Sequence, residues 1–437
     1  MQYKKVTDIA DILNGYAFKS QRYVEKGIRV IRIANVQDGK IIDEQPCFYP
    51  DDSSEEIERY MLREGDLLIS LTGNVGRVGL LPKYMLPAAL NQRVCCLRLK
   101  NDAVDLNYLY LYLRRKDFVR ECTKASKGVA QLNLSTRWIE NYTIPIPSID
   151  EQKRIVNKIE ELFSELDSAV ETLKKTKEQL DVYHQSVLER AFEGKYTIDW
   201  RKLNKYSVNE FKKELYKKRC DAGNVSEYQL MEEVSLPSIP KGWEWVSVGD
   251  IVTSPEYGTS KKSLKNGKVP VLRMGNMKNG SIDWDDLVYS NDEEDNKKYR
   301  LHDQDVLFNR TNSSEHVGKT SIFKGEQDAI FAGYIIRINQ LPEINAQYLT
   351  YYMNSHTAKK YSNKVKTDGV NQSNINGKKL LSYPFPLCTR SEQDKIVDEI
   401  EIRLSKCDGI EKTVSDALIH ADAMRQSILK KAFEGSL

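Results

Sequence analysis

The chain has 437 residues, enough for two or three domains that each bury a core, and its 66 Lys/Arg against 63 Asp/Glu leave a formal charge of +3. That near balance excludes a chain that grips nucleic acid by bulk charge, and the lack of any long apolar run excludes a helical membrane span. Seven scattered cysteines without a Cys-x-x-Cys pair, and five histidines without metal-ligand spacing, exclude a disulfide framework or a zinc site. The expectation is a cytoplasmic protein with no cofactor and no metal of its own.

Residues 1–147 read as a first module of short strands with turn signals such as Asp38-Gly39, and a helical stretch near 105–122. Residues 148–194 read as one long helix. Ser148 stands three residues before Glu151, the spacing of a capping box, and Gly194 stands where a left-handed C-cap is wanted. Residues 195–242 form a connector with one polar helical stretch, "SVNEFKKELYKKRC", and an exit marked by Pro237, Pro240 and Gly242. Residues 243–388 repeat the strand-rich module, with a turn at Asn279-Gly280 and a helical stretch near 343–360. Residues 389–437 repeat the long helix, with Thr389, Glu392 and Gly435 at the corresponding places.

The second half is a copy of the first. A shift of 241 residues lays "EQKRIVNKIE" on "EQDKIVDEIE" and "QSVLERAFEG" on "QSILKKAFEG", the latter identical at seven of ten positions. Both helices carry apolar residues at alternating four- and three-residue steps. The first seam runs through Ile155, Ile159, Leu162, Leu166, Leu173, Leu180 and Tyr183; the second runs through Ile396, Ile400, Ile410, Val414, Met424 and Ile428, with Arg403 interrupting it. The pattern predicts an α+β protein of two similar recognition modules separated by two long helices that pair as an antiparallel coiled coil, a pseudo-two-fold internal repeat. In that reading the chain's last helix returns to its first module.

The charge, balanced overall, is unevenly placed. Residues 90–140 hold ten Lys/Arg and five Asp/Glu, residues 356–390 seven against one, and residues 281–305 three against nine. The two basic stretches are equivalent in the repeat. In the first module Lys124, Lys127, Gln131 and Asn133 are candidate DNA contacts, with Lys364, Lys366, Gln372 and Asn374 in the second. A second pair of loops offers Thr72, Asn74 and Arg77 in the first module and Arg310 and Asn312 in the other. Lysine suits phosphates, whereas Gln and Asn can pair bidentately with adenine in the major groove. The "Q-x-N" element recurs in both modules, which fits either a base-reading pair or a structural turn. Paired modules suit a two-part DNA site, because half-sites mirror protein symmetry.

This organisation resembles the specificity (S) subunit of type I restriction–modification systems. The resemblance covers nearly the whole chain and is carried by "IPIPSIDEQKRIVNKIEELF", "SVLERAFEG", "GYAFKSQRY" followed by "GIRVIRIANV", and "IPKGWEWVSVGDI". The first module lacks the "GWEW" lead-in of the second. The resemblance implies a non-catalytic subunit that binds DNA and two modification (methyltransferase) subunits, with restriction/translocase subunits joining that core. It places S-adenosylmethionine and ATP on those partners. The residues themselves point the same way. "SSEHVGKT" has Ser313 where a phosphate loop needs its first glycine, and no Asn-Pro-Pro-aromatic methyltransferase element occurs. The acid-rich run Glu294-Asp295-Asn296-Lys297 reads as a solvated face. The competing reading is a coiled-coil scaffold joining two protein-binding modules.

Overall fold

The computed structural model describes residues 2–128, 131–204, 207–230, 235–278, 280–370 and 372–437. Asn279, half of one expected turn, lies outside the described residues. The chain divides into two compact units, one made of Met1–Lys175 with Val414–Leu437, the other of Thr176–Thr413. Each unit therefore holds one strand-rich module and a part of each long helix, Ile149–Phe192 and Arg390–Phe433.

In unit one a four-stranded antiparallel sheet runs in the order Ala10–Asn14, Val94–Leu99, Leu67–Ser70, Val78–Leu80. Its central strands are buried on both faces, and the two-residue period of a strand explains how one sheet serves two cores. Leu67, Ile69, Cys95 and Leu97 face a core that includes Tyr108, Phe118 and the long helices. Leu68, Val94 and Cys96 face a second core with Ile31, Leu81 and Met85. Unit two repeats the plan: Val252–Tyr257, Ile335–Gln340, Val306–Asn309 and Thr320–Ile322 form the sheet. Val306, Phe308, Ile336 and Ile338 face one core, and Leu307 and Ile335 the other. The Asp38-Gly39 turn joins two short paired strands, with Gly39 at φ 73°. Each expected helical stretch is two helices. They are Leu106–Leu113 and Lys116–Ala125 in unit one, and Ala346–Met353 and His356–Val365 in unit two. The connector holds Ile198–Leu203 and the expected polar helix, at Val208–Asp221. All seven cysteines carry free thiols, and no helix among the described residues is long and apolar enough to cross a membrane.

The repeated "AFEG" has one explanation in both units. Phe433 packs edge-on against Tyr108 and Tyr112, with ring centroids 5.3 and 5.1 Å away, and Phe192 packs the same way against Tyr348 and Tyr352, at 5.2 Å each. The hydroxyls of Tyr108 and Tyr348 donate to the carbonyls of Pro145 and Pro386, both at 2.8 Å. Each helix then ends in a left-handed glycine. Gly194 has φ 67° and Gly435 φ 75°, and the following amides, Lys195 and Ser436, donate back to Arg190 and Lys431.

The helix starts differ from expectation. Ser148 Oγ accepts the Glu151 amide at 3.4 Å, but the Glu151 carboxylate turns to Arg154 instead of reaching back. At the second start the buried Glu392 carboxylate accepts from Thr197 Oγ1 and Arg201 Nη1, both at 2.7 Å. The neighbouring glutamines do the anchoring instead. Buried Gln152 accepts the Asp105 amide at 2.8 Å, and buried Gln393 accepts the Asn345 amide at 2.9 Å. A glutamine can accept and donate at once, so one side chain ties the start of each long helix to the capping residue of an earlier helix, Asp105 of Leu106–Leu113 and Asn345 of Ala346–Met353.

One row of each expected seam is buried and the other is displaced by a residue. Ile155, Ile159 and Leu166 are buried in unit one, as are Ile396, Ile400 and Cys407 in unit two; Leu173, Leu180 and Ile428 are half-buried and Val414 is buried. Ile410, however, is 49% exposed, and Tyr183 and Met424 are exposed at 46% and 54%, so these three do not sit on a buried row. The inward positions are instead Phe163, His184, Leu404 and Arg425, each one residue further along; Leu162 is half-buried beside Phe163. The error lies in the order of the three- and four-residue steps, which the apolar pattern alone leaves ambiguous because both rows contain apolar residues. Arg403 does not break the helix; its guanidinium lies 4.0 Å from the centre of the Tyr196 ring.

Candidate nucleic-acid interface

In unit one the strands Leu67–Ser70 and Val78–Leu80 are joined by residues 71–77, a loop bent by Gly73 (φ 67°) and Gly76 (φ 78°). Ser70 Oγ donates to the Asn74 carbonyl at 2.6 Å and stiffens the loop from inside. Arg77 Nη1 donates to Gln37 Oε1 at 2.6 Å. After the helix Lys116–Ala125 the chain doubles back. Lys127 and Asn133 exchange two backbone hydrogen bonds of 3.0 and 2.9 Å, and this narrow loop is laced to the first one by Gly73 N–H to Leu132 (2.9 Å) and Leu134 N–H to Leu71 (2.7 Å). Thr72 bridges Asn133. The fold thus brings Thr72, Asn74, Lys127, Gln131 and Asn133 to one edge, with all but Thr72 exposed; Lys124 is exposed on the helix that leads in. Thr72 Oγ1 is buried and has no hydrogen-bond partner among the described residues.

Unit two builds the same edge as a small ribbon. Thr311–Asn312 pairs with Ser373–Asn374, which pairs with Thr367–Asp368. The Thr311–Asn374 bridge matches the Thr72–Asn133 bridge of unit one. Here the Asn374 side chain is engaged within the module: Nδ2 donates to Thr311 Oγ1 at 2.8 Å, and Arg310 Nη2 donates to Oδ1 at 3.4 Å. Arg310 lies 4.9 Å from the centre of the Tyr257 ring, and Tyr257 Oη accepts the Gly377 amide at 2.7 Å. Tyr257 is a residue the sequence reading missed; an aromatic 53 positions before its arginine has no local signal. Asn312 caps its own turn by accepting the Ser313 amide at 2.8 Å. Lys366 is mostly covered and donates to the Ser314 carbonyl (3.3 Å) and Asn363 Oδ1 (3.2 Å). Gln372 and Lys364 are exposed, and Val370 at the ribbon's turn is exposed completely.

Chemically the two edges offer amides, hydroxyls and cations, a set that can hydrogen-bond base edges and phosphates. Among the described residues no group of three or more His, Cys, Asp or Glu is placed to hold a metal ion. In the acidic run of unit two Glu294 and Lys297 lie on the solvated face the sequence suggested, while Asp295 is structural. Asp292 caps the helix Glu293–Lys298, and Asp295 is buried against Thr259, with Lys261 at 3.3 Å.

Comparison with known proteins matches these two halves separately. The family described as the type I restriction modification DNA specificity domain matches residues 1–181 and again 240–419. The chain is 25% identical over 443 residues to the type I restriction enzyme StySPI specificity subunit of Salmonella potsdam, covering 99% of this chain and 88% of that protein. It is 25% identical over 444 residues to the EcoKI specificity subunit of Escherichia coli K12, with the same coverage. A solved chain from a study of assembly and conformational transition of the type I restriction–modification system shares the fold, with a TM-score of 0.68 at 17% identity, over 100% of this chain and 98% of that one. Two matches of one domain, together covering most of the chain, make this chain a member of the type I restriction–modification DNA specificity family.

Proposed function

We propose that the protein is the specificity subunit of a type I restriction–modification complex, that it reads a bipartite duplex site with one module per half, and that it carries no catalysis of its own. The observation that carries this is the repeated edge: the Thr72–Asn133 and Thr311–Asn374 bridges present exposed Lys and Gln from equivalent loops. Gln131 and Gln372 are the base-reading candidates. Lys124, Lys127 and Lys364 serve phosphates, and Arg310, Asn374 and Lys366 shape the second edge. The two long helices pair as an antiparallel coiled coil. In support, Arg425 reaches Asp167 within unit one, and His184 Nε2 lies 3.9 Å from Asp408 within unit two; both pairs have the same sum of residue numbers, as antiparallel register requires. Two methyltransferase subunits and the restriction subunits dock on this chain in the cytoplasm, and they bring S-adenosylmethionine and ATP.

The test is reconstitution with the methyltransferase subunit, followed by methylome sequencing. A two-part methylated site lost when this chain is omitted supports the proposal. Methylation independent of the chain, with no retardation of DNA, favours the scaffold reading.

A further inference from the structure

The helix Lys116–Ala125 of unit one starts against electrostatic convention. Its cap is Arg115, which makes no side-chain capping bond, and Lys116 follows at its first position. Both cations sit at the positive end of the helix dipole, where an anion is favoured and a cation is not. Around this start lies an open cleft of about 600 Å³, lined by Arg77, Arg114, Arg115, Lys116, Arg120 and Lys430, with Asp38 and Asp117 as its carboxylates. Asp117 is held below its usual range by Arg120, Asp422 lies 4.0 Å from Lys116, and Glu434 lies 3.9 Å from Lys430. Arg77, Arg114 and Arg115 have no carboxylate partner among the described residues. Arg114 Nε is buried without an acceptor among them, and Arg115 stacks 3.7 Å from the centre of the Tyr112 ring, which holds its guanidinium in place.

The internal repeat supplies a control. The helices Lys116–Ala125 and His356–Val365 correspond at a shift of 240 residues, which puts Asn354, Ser355 and His356 where unit one has Arg114, Arg115 and Lys116, with Lys360 for Arg120, and the long-helix shift of 241 puts Glu189 for Lys430. There the helix His356–Val365 is capped in the ordinary way, by Ser355, in the place of Arg115, accepting from the Ala358 amide. The matching cleft of unit two is lined by Glu189, Glu193, His356 and Lys360 together with the connector's Ser235–Pro237. A surface for a partner bound alike by both repeats would keep its charge in both. Unit two keeps Lys360 in the place of Arg120 but sets it beside Glu189 and Glu193, so the excess of cations belongs to unit one.

Resting on the DNA-reading function proposed above, we infer that this cleft is a phosphate-backbone clamp peculiar to unit one. It holds the duplex beside the half-site read by residues 71–77 and 124–133, and adds affinity without sequence preference. Arg77 belongs to the same loop as Thr72 and Asn74, so the cleft wall is continuous with the reading edge and its occupant is the same duplex. Arginine forks match the paired oxygens of a phosphodiester.

The experiment uses the full chain reconstituted with its methyltransferase subunits, and anisotropy titrations of cognate and scrambled duplexes across a salt series. The triple variant Lys116→Ala, Arg120→Ala, Lys430→Ala changes exposed side chains. Each lost phosphate contact removes about 0.9 from the log–log salt slope, so the slope should become shallower by about two to three on both duplexes while the cognate preference stays. The single exchanges Lys116→Gln and Lys430→Gln should each remove about one, and they stand in if the triple variant melts early. Glu189→Lys with His356→Lys should steepen the slope. An unaltered slope overturns the clamp. So does loss of methyltransferase co-elution with DNA binding intact, which would assign the cleft to an acidic protein surface. Loss of cognate preference would make these residues readers and overturn it too. An unaltered complex that shows no cognate preference at all would instead overturn the DNA-reading function, and the clamp with it.

Discussion

Gly194 and Gly435 occupy the same left-handed turn, yet their surroundings differ. A Cβ at Gly194 would meet Pro240 Cγ at 2.3 Å and Arg201 Nη1 at 2.8 Å, whereas one at Gly435 would meet nothing within 4 Å. Both alanine variants take on the left-handed penalty of about 1 kcal/mol. Gly194→Ala should lose clearly more in thermal melts, because the connector must also move; equal losses would show that Pro240 yields freely. The reading edges divide in a similar way. Lys127→Ala should weaken binding to all duplexes and lower the salt slope by about one, while Gln372→Ala should cost about 1–3 kcal/mol on the preferred site only. Titrations on cognate and random DNA separate the two. Asn374→Ala should do something different again. It strands Thr311 and Arg310, so the melting temperature of the protein should fall along with binding, and a binding loss without any thermal change would restore Asn374 to the readers.

At the scale of elements, the contact that sequence spacing could not show is Arg201 with Glu392. Arg201, on the short connector helix, donates to Glu392, to Thr197 and to the Gly194 carbonyl, and so joins the end of one long helix to the start of the other within unit two. The Glu392 side chain is 6% exposed. Removing the arginine leaves a buried carboxylate unpaired, so Arg201→Met should cost about 3–5 kcal/mol in denaturant unfolding, and Arg201→Met with Glu392→Gln should recover part of it. No recovery in the double variant would mean that the loss is packing against Trp243, which lies 5.7 Å from the guanidinium. The helices themselves were legible: their lengths, terminal glycines and one apolar row follow from local pattern. The other row was not, since a choice between residue 162 and 163, or 410 and 411, depends on which partner side chains arrive opposite. The capping carboxylates failed for a related reason, as Arg154 and Arg201 offer charged partners stronger than a backbone amide.

For the whole molecule, the repeat predicts modules that work separately. Exchanging residues 1–147 for another module of the family should change one half of the methylated sequence and leave the other, as methylome sequencing would report; change in both halves would end the idea of independent readers. The exchange should succeed only when the incoming module keeps aromatic partners for Phe433 in the places of Tyr108 and Tyr112, and Phe433→Ala alone should cost about 3–5 kcal/mol. The order of the modules, the two long helices and the likeness of the halves were determined by the sequence alone, because they rest on composition, period and self-similarity along the chain. Which polar side chains remain available at the reading edges was decided by tertiary structure. Gln372 and Asn374 are two residues apart and equally polar, but Gln372 lies just before the strand Ser373–Asn374 and is exposed, whereas Asn374, within it, is bonded to Thr311 and Arg310. The cationic cleft of unit one was decided there as well. Its arginines and lysines come from residues 77, 114–120 and 430, and only folding gathers them at one helix start.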